Sequence, residues 1–437
     1  MKRTLIRNGY IITMDPEDRR FFGDILIEGD SILDLGDSLD PAGADEIIDA
    51  RGKLVIPGFV QGHIHLCQTL FRGLSQDRNL IDWLGVILPL ERKHTWDSVY
   101  ASARLSLAEM LRSGTTCIGV MGTAEHFSAE TQAILDMGIR ARMGRTIMDV
   151  EMNPGEPWHE TRRGLQEAED FLSFWASGAP ERIHGEIAVR WILMTTEESF
   201  RGIREMALRY NVPIHNHADE NLSENRMVME KFGKTALEVF EEKGWTEAKM
   251  FLAHCIWLSD REKQILKQKD LRVIHCPGCN HKAASGVAPV PEYLSSGICV
   301  GLGADTGACN DNLDMFREMR LAALMQKIVH GPTVLTAEHV FRMATIDGAR
   351  ALYLDHLTGS LEKGKRGDLV ILNVPLEAQP FHYREAVSSV VYSMGNRDVD
   401  LTMVNGSVVV RDGRLVSGEE PEIIREASRN LETLLRP

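Results

Sequence analysis

No run of about 18 apolar residues occurs in the 437-residue chain, so there is no candidate transmembrane helix. The N-terminus, Met1-Lys2-Arg3-Thr4-Leu5-Ile6, reads as the start of a strand and lacks the apolar core of a secretory signal. Basic charge is in deficit: 49 Lys and Arg stand against 63 Asp and Glu, and the formal net charge of −14 disfavours a nucleic-acid surface or a polybasic membrane anchor. Cysteine is sparse. Seven cysteines, an odd number scattered along a long chain, suggest a reducing cytoplasm rather than a disulfide framework. What is plentiful is core-forming material, at 43% hydrophobic residues, enough for one large domain and a smaller one.

Both ends of the chain read as short strands. At the start these are 5–13, 24–30 and 31–35, with Glu28-Gly29-Asp30 as a hairpin turn. At the end they are 368–372, 386–392 and 399–404, then Asn405-Gly406 as a strong turn into 407–411, and a last helix near 420–435. The economical reading is a small β-sandwich built from residues 1–56 and 365–437, with residues 57–364 inserted between its halves. The insert alternates. Helical stretches fall at 97–113, 129–137, 161–177, 199–210, 235–243, 260–267 and 336–352. Apolar runs fall between them at 115–120, 141–146, 187–194, 212–217, 250–254, 272–275 and 298–303, and one more, 53–56, precedes them. Eight strands alternating with helices predict an α/β fold of the (β/α)8 TIM-like barrel type. A doubly wound sheet binding a dinucleotide would want a Gly-rich turn after its first strand, and none is present.

In such a barrel the chemistry sits where strands end. His63 and His65 follow the apolar run 53–56, and on a strand residues i and i+2 share a face. The run 212–217 ends in His217, with Glu220 three residues on; 250–254 ends in His254; 298–303 leads to Asp305. A single histidine at a strand end is more often a packing residue, and a single aspartate after a strand is more often a helix cap. Their joint occurrence at one rim points to a metal site. His63, His65, His217 and Asp305 would bind one divalent metal, zinc in first place with iron as the alternative, and leave a position open for water. His215, two residues before His217, reads as a satisfied core histidine one layer deeper. A second metal would want a lysine on the fourth strand, and 187–194 has none. Glu220, in a partly dry pocket, would act as proton shuttle, with His254 and Asp305 managing the proton of the water. Cys276-Pro277-Gly278-Cys279 has redox-motif spacing, but its setting in a barrel loop argues against a redox role.

Longer stretches extend the pattern: Pro57-Gly58-Phe59 ahead of His63-Ile64-His65, Leu70-Phe71-Arg72-Gly73-Leu74, Trp83-Leu84, Pro89-Leu90-Glu91, and Glu109 to Thr116. Further on come His217-Ala218-Asp219-Glu220, Ala253-His254-Cys255, His275-Cys276-Pro277 with Asn280, Ser285 to Val290, and Asn310 to Phe316. With these the chain resembles the amidohydrolase superfamily, in its branch of cyclic-amidine aminohydrolases. That branch includes methylthioadenosine/adenosylhomocysteine deaminases, guanine deaminases and triazine hydrolases. The resemblance implies a barrel with an appended β-sandwich, a mononuclear zinc or iron site, and hydrolytic displacement of an amino group from a small aromatic N-heterocycle such as a purine, pterin, pyrimidine or related nucleoside. It implies His63, His65, His217 and Asp305 as ligands and Glu220, His254 and Asp305 as catalytic groups. Glu91 matches a glutamate that holds ribose hydroxyls in the nucleoside deaminases.

Two departures bear on the substrate. The nucleoside deaminases carry a substrate-touching histidine after the fourth strand, where this chain reads Leu193-Met194-Thr195-Thr196-Glu197-Glu198; after Asp305 it reads Thr306-Gly307-Ala308-Cys309. The expected substrate contacts are therefore Trp83, Glu91, Thr196 and His254. A triazine hydrolase displacing chloride or an alkylamine is the alternative, and a non-catalytic barrel scaffold the reading from another class. The expected setting is cytoplasmic, as a homo-oligomer (dimer or tetramer), with a small-molecule heterocycle as partner and neither nucleic acid nor membrane.

Overall fold

The computed structural model describes residues 1–150 and 158–436. Strands from the two ends of the chain share one nine-stranded sheet. Arg3–Ile12, Arg20–Glu28, Ser31–Gly36, Glu46–Asp49 and Leu54–Pro57 come from the start, and Leu369–Leu372, Val399–Val404, Ser407–Arg411 and Arg414–Leu415 from the end. The two groups meet where Leu54–Pro57 pairs antiparallel with Leu369–Leu372. A separate apolar cluster that includes Ile6, Ile25, Val55, Leu369, Ile371 and Leu401 packs them together. The turn expected at Asn405-Gly406 forms, with φ of 52° and 71°; both residues are left-handed, as a two-residue hairpin turn of matching twist demands.

The middle of the chain forms two parallel sheets. One runs Ile183–Gly185, Arg140–Gly144, Thr115–Met121, Phe59–Ile64. The other runs Val300–Leu302, Arg272–His275, Met250–His254, Ile214–Ala218, Ile187–Val189, Thr146–Ile147. Their edges adjoin. Arg140–Gly144 leads past Arg145 into Thr146–Ile147, and Ile183–Gly185 leads past Glu186 into Ile187–Val189. At the other edge Ile64 bridges Asp305 in parallel, with Asp305 N donating to His63 O at 3.1 Å and His65 N to Asp305 O at 2.8 Å. Most of these strands are buried along their whole length, which is why they read as continuous apolar runs rather than alternating ones.

Several expected elements differ. The run 53–56 belongs to the sheet shared by the chain ends, and His63 lies on a separate strand, Phe59–Ile64, after Gly58, with His65 just beyond its end. The run 187–194 is a three-residue strand followed by a 3-10 turn, Ile192–Met194. The stretch 336–352 is two helices, Ala337–Met343 and Ile346–Ala351, broken at Thr345, whose hydroxyl donates to Phe341 O at 2.6 Å. Residues Ala386–Tyr392, expected as a strand, form a helix. Its buried residues are Ala386, Val387, Val390 and Val391, a helical spacing that the β-branched composition conceals. The helices Leu80–Glu91, Leu222–Phe232 and Met315–His330 were not anticipated.

Candidate active site

The ends of four parallel strands deliver the predicted groups to one place. His63 and His65 come from Phe59–Ile64 and the residue after it, His217 from Ile214–Ala218, His254 from the end of Met250–His254, and Asp305 from just beyond Val300–Leu302. The backbone turns sharply at these ends: His254, Cys255 and Asp305 have φ of 74°, 48° and 64°. Side chains rarely adopt such conformations unless the surroundings impose them, and they concentrate at functional sites.

Ligand atoms of His63, His217, His254 and Asp305 all lie within 4.8 Å of one another. His65 joins them, its Nε2 at 3.2 Å from His217 Nε2 and 3.5 Å from Asp305 Oδ1. His63 Nε2 lies 3.2 Å from Asp305 Oδ1. The rings of His65, His217 and His254 are nearly parallel, at 13° and 14°, while His63 stands across that of His217 at 89°. All five groups are buried. His217 Nδ1–H donates to Arg190 O at 2.5 Å, which leaves its Nε2 lone pair facing His65. Burial holds His63 down to about 3, and His65 and His217 well below their ordinary range, so these imidazoles are neutral. Burial would raise Asp305, but the histidines around it, His63 foremost, outweigh this and hold its carboxyl below the usual carboxylate range, as an anion. Neutral imidazole lone pairs crowded on a buried carboxylate want a cation, and a nitrogen- and oxygen-rich set suits a small divalent metal.

Glu220 and His254 stand beside this cluster, Oε2 to Nε2 at 3.6 Å. Burial pushes Glu220 up to about 7, the Asp305 charge adding to this and His254 opposing it. His254 is raised, because Glu220 and Asp305 outweigh its burial. Its Nδ1–H donates to Asn280 Oδ1 at 2.8 Å, turning Nε2 toward Glu220. Glu220 is held from behind: its backbone N–H donates to Glu224 Oε2 at 2.7 Å, and Glu224 Oε1 accepts from the Trp191 indole at 2.6 Å.

These groups open into a pocket at the strand ends. Leu80, Trp83, Leu84, Trp191, Met194 and Ala283 give it apolar walls, and Arg190, Cys279 and Cys309 complete it. Trp83 is where a substrate contact was expected. Glu91 is buried but does not line the pocket; its Oε1 accepts from Gln68 and, at 3.4 Å, from Arg190 Nη2. Thr196, expected at the substrate, is instead an N-cap. Its hydroxyl donates to Asp149 Oδ2 at 2.5 Å and accepts from Ser199 N at 3.2 Å, because the helix Glu197–Tyr210 starts there. From this loop the pocket receives Arg190, Trp191 and Met194, which the sequence reading missed. The available signal was one arginine inside the apolar run 187–194. Cys279 does not face Cys276: its Sγ lies 2.8 Å from Cys309 Sγ, and all seven cysteines are free thiols.

The amidohydrolase family profile matches residues 54–409. The chain belongs to the amidohydrolase family. Among curated amidohydrolase relatives, a 5′-deoxyadenosine deaminase of Methanosarcina barkeri is 34% identical over 440 residues, covering 100% of this chain and 99% of that one. A 5-methylthioadenosine/S-adenosylhomocysteine deaminase of Desulforudis audaxviator is 35% identical over 442 residues, covering 99% of each. Among solved structures, a zinc-bound adenosine deaminase from Xanthomonas campestris superposes with a TM-score of 0.90 at 26% identity, over 99% of this chain and 98% of that one.

Proposed function

We propose that this amidohydrolase is a metal-dependent hydrolytic deaminase of an adenosine derivative or a related N-heterocycle. The observation that carries the reading is the placement of Glu220 and His254, 3.6 Å apart, against the His63, His65, His217 and Asp305 cluster in an apolar pocket. The named activities of the relatives support it.

In this reading His63, His65, His217 and Asp305 hold one divalent metal, with zinc first and iron second; the zinc in the Xanthomonas campestris structure supports that order. Such a metal supplies Lewis acidity that makes water a nucleophile near neutral pH. Trp83, Trp191 and the neighbouring aliphatic side chains bind the flat heterocycle and exclude bulk water. Glu220, raised to about 7, donates its proton to the ring nitrogen beside the carbon that carries the amino group. Asp305 and His254 receive the proton lost by the attacking water. The proton taken up by Asp305 and His254 passes on to the amino group, which leaves as ammonia, and the second proton of the water returns to Glu220 as its oxygen becomes the ring carbonyl. Arg190 offers N–H donors from the wall.

The two parallel sheets are read as one eight-stranded (β/α)8 barrel over residues 57–364. Support comes from the bridge between Ile64 and Asp305 and from the two strand positions that continue from one sheet into the other. Residues 1–56 and 365–437 are read as a β-sandwich around the apolar cluster of the shared sheet. Assembly as a dimer or tetramer and a cytoplasmic location complete the reading. Among the described residues no helix is long and apolar enough to cross a membrane. Leu324, Ile328 and Val329, exposed on the helix Met315–His330, would suit a face covered by a second copy.

The test is an ammonia-release screen of the purified protein over 5′-deoxyadenosine, methylthioadenosine, adenosylhomocysteine, free purines, pterins, pyrimidines and triazines. Release from an adenosine derivative is expected. Chloride or alkylamine release from a triazine, with no ammonia from any nucleoside or base, would replace the reading with the triazine-hydrolase one.

A further inference from the structure

Three buried side chains form an unbroken line leading away from the pocket into the protein. His63 Nδ1 lies 2.8 Å from His215 Nε2, and His215 Nδ1 lies 2.8 Å from Glu186 Oε1. The side chains of His215 and Glu186 are fully buried, and so is His63. The two rings meet edge to face, with centroids 4.9 Å apart at 80°, so that one ring's N–H is aimed at the other's lone pair. Phe251 on the next strand holds His215, its ring 4.2 Å away. Glu186 occupies the break between Ile183–Gly185 and Ile187–Val189. Its position depends on Gly144 next door, where a Cβ would run into the carbonyl oxygen and Cγ of Glu186.

Each of the two gaps in this line holds one proton. A neutral imidazole carries one N–H and one acceptor nitrogen, so the direction of the first hydrogen bond sets that of the second. Burial pushes the Glu186 carboxyl well above its ordinary range, and a cation taken up at His63 Nε2 favours the direction in which Glu186 accepts as an anion. His215 must then donate from Nδ1 and accept at Nε2, His63 must donate from Nδ1, and His63 Nε2 is left bare beside Asp305. Were the line reversed, His63 would carry its proton on Nε2 and donate it to Asp305, and the nitrogen in the site would be blocked. His217 needs no such line, since a backbone carbonyl fixes it.

We propose that Glu186 and His215 are positioning residues that lock His63 in the tautomer with a free Nε2, and so set the metal affinity of the site. The proposal rests on His63 being a ligand in the reading above. Its readout is metal binding rather than turnover, so its failure and that of the deaminase reading are told apart.

The experiment is zinc titration of the metal-free, full-length protein against a chromophoric chelator. Glu186→Gln keeps the shape and removes the charge; its zinc affinity is expected to be weaker by about 10- to 100-fold, the usual cost of losing a partner of a metal-bound histidine. His215→Phe fills the space beside Phe251 without either hydrogen bond and is expected to lose affinity likewise. In a His63→Ala background Glu186→Gln is expected to change zinc affinity by no more than about twofold, because its effect passes through His63. Parent-like affinity in Glu186→Gln, or an equal loss with and without His63, overturns the proposal, the second result assigning Glu186 a general structural role.

Discussion

Burial and the charge of Asp305 push the Glu220 carboxyl up to about 7, close to the value at which one group can both give and take a proton in neutral solution. Glutamine in its place has nearly the same size and cannot carry that proton. Glu220→Gln is expected to lower kcat by about 10²- to 10⁴-fold, the range for a positioned acid–base group, while zinc content per chain stays that of the parent. Steady-state kinetics with metal analysis of the same preparation checks this. Full activity would remove Glu220 from the mechanism. At this scale much was legible. His63 and His65 announce themselves by a two-residue spacing, and Glu220 by its three-residue distance from His217. Thr196 was misplaced because nothing in Thr195-Thr196-Glu197-Glu198 showed that the first turn of a helix would claim its hydroxyl. Glu91 was expected at the substrate through its match to a glutamate of the nucleoside deaminases, and its partners Gln68 and Arg190, 23 and 99 residues away in sequence, were not legible.

Elements carry the strain of holding such groups in a dry interior. Glu130 on the helix Phe127–Met137 is fully buried and accepts from Thr123 N at 2.8 Å, pinning the loop after the strand Thr115–Met121. Burial raises it from an ordinary 4.5 to about 8, the Thr123 hydrogen bond only partly opposing this. Between those two values the folded chain keeps a proton that the unfolded chain has lost. Its contribution to stability therefore falls as pH rises from about 4.5 to about 8, at up to about 1.4 kcal/mol per pH unit. Glu130→Gln still accepts from Thr123 N and has no such slope. Its melting temperature relative to the parent is expected to be lowest near pH 5 and to improve steadily toward pH 8, as read by thermal melts across that range. A difference that stays flat would mean that Glu130 is ionised in the fold throughout. Elements were also where composition misled. Ala386–Tyr392 has the β-branched content of a strand and the burial spacing of a helix, and only packing decides between them.

For the whole molecule, the two chain ends and the middle are joined by Arg140 and Asp368, both side chains fully buried, with Nε to Oδ2 at 2.8 Å and Arg140 Nη2 also donating to Asn405 Oδ1 at 2.8 Å. Asp368 precedes the strand Leu369–Leu372 of the shared sheet, and Arg140 begins a parallel strand of the middle. A pair 228 residues apart leaves no trace in local sequence pattern. The alternation of strands and helices did, and so did the two strand-rich ends. The break at Glu186 did not, because an apolar run shows its strand but not where that strand kinks.

The central claim is that the cluster at the ends of four strands holds a metal on which deamination depends. The most direct measurement is ammonia release from 5′-deoxyadenosine by the purified chain before metal removal, after chelation verified by elemental analysis, and after zinc is restored. The account predicts that release is lost with the metal and returns with about one zinc per chain. Undiminished release by verified metal-free protein would contradict it.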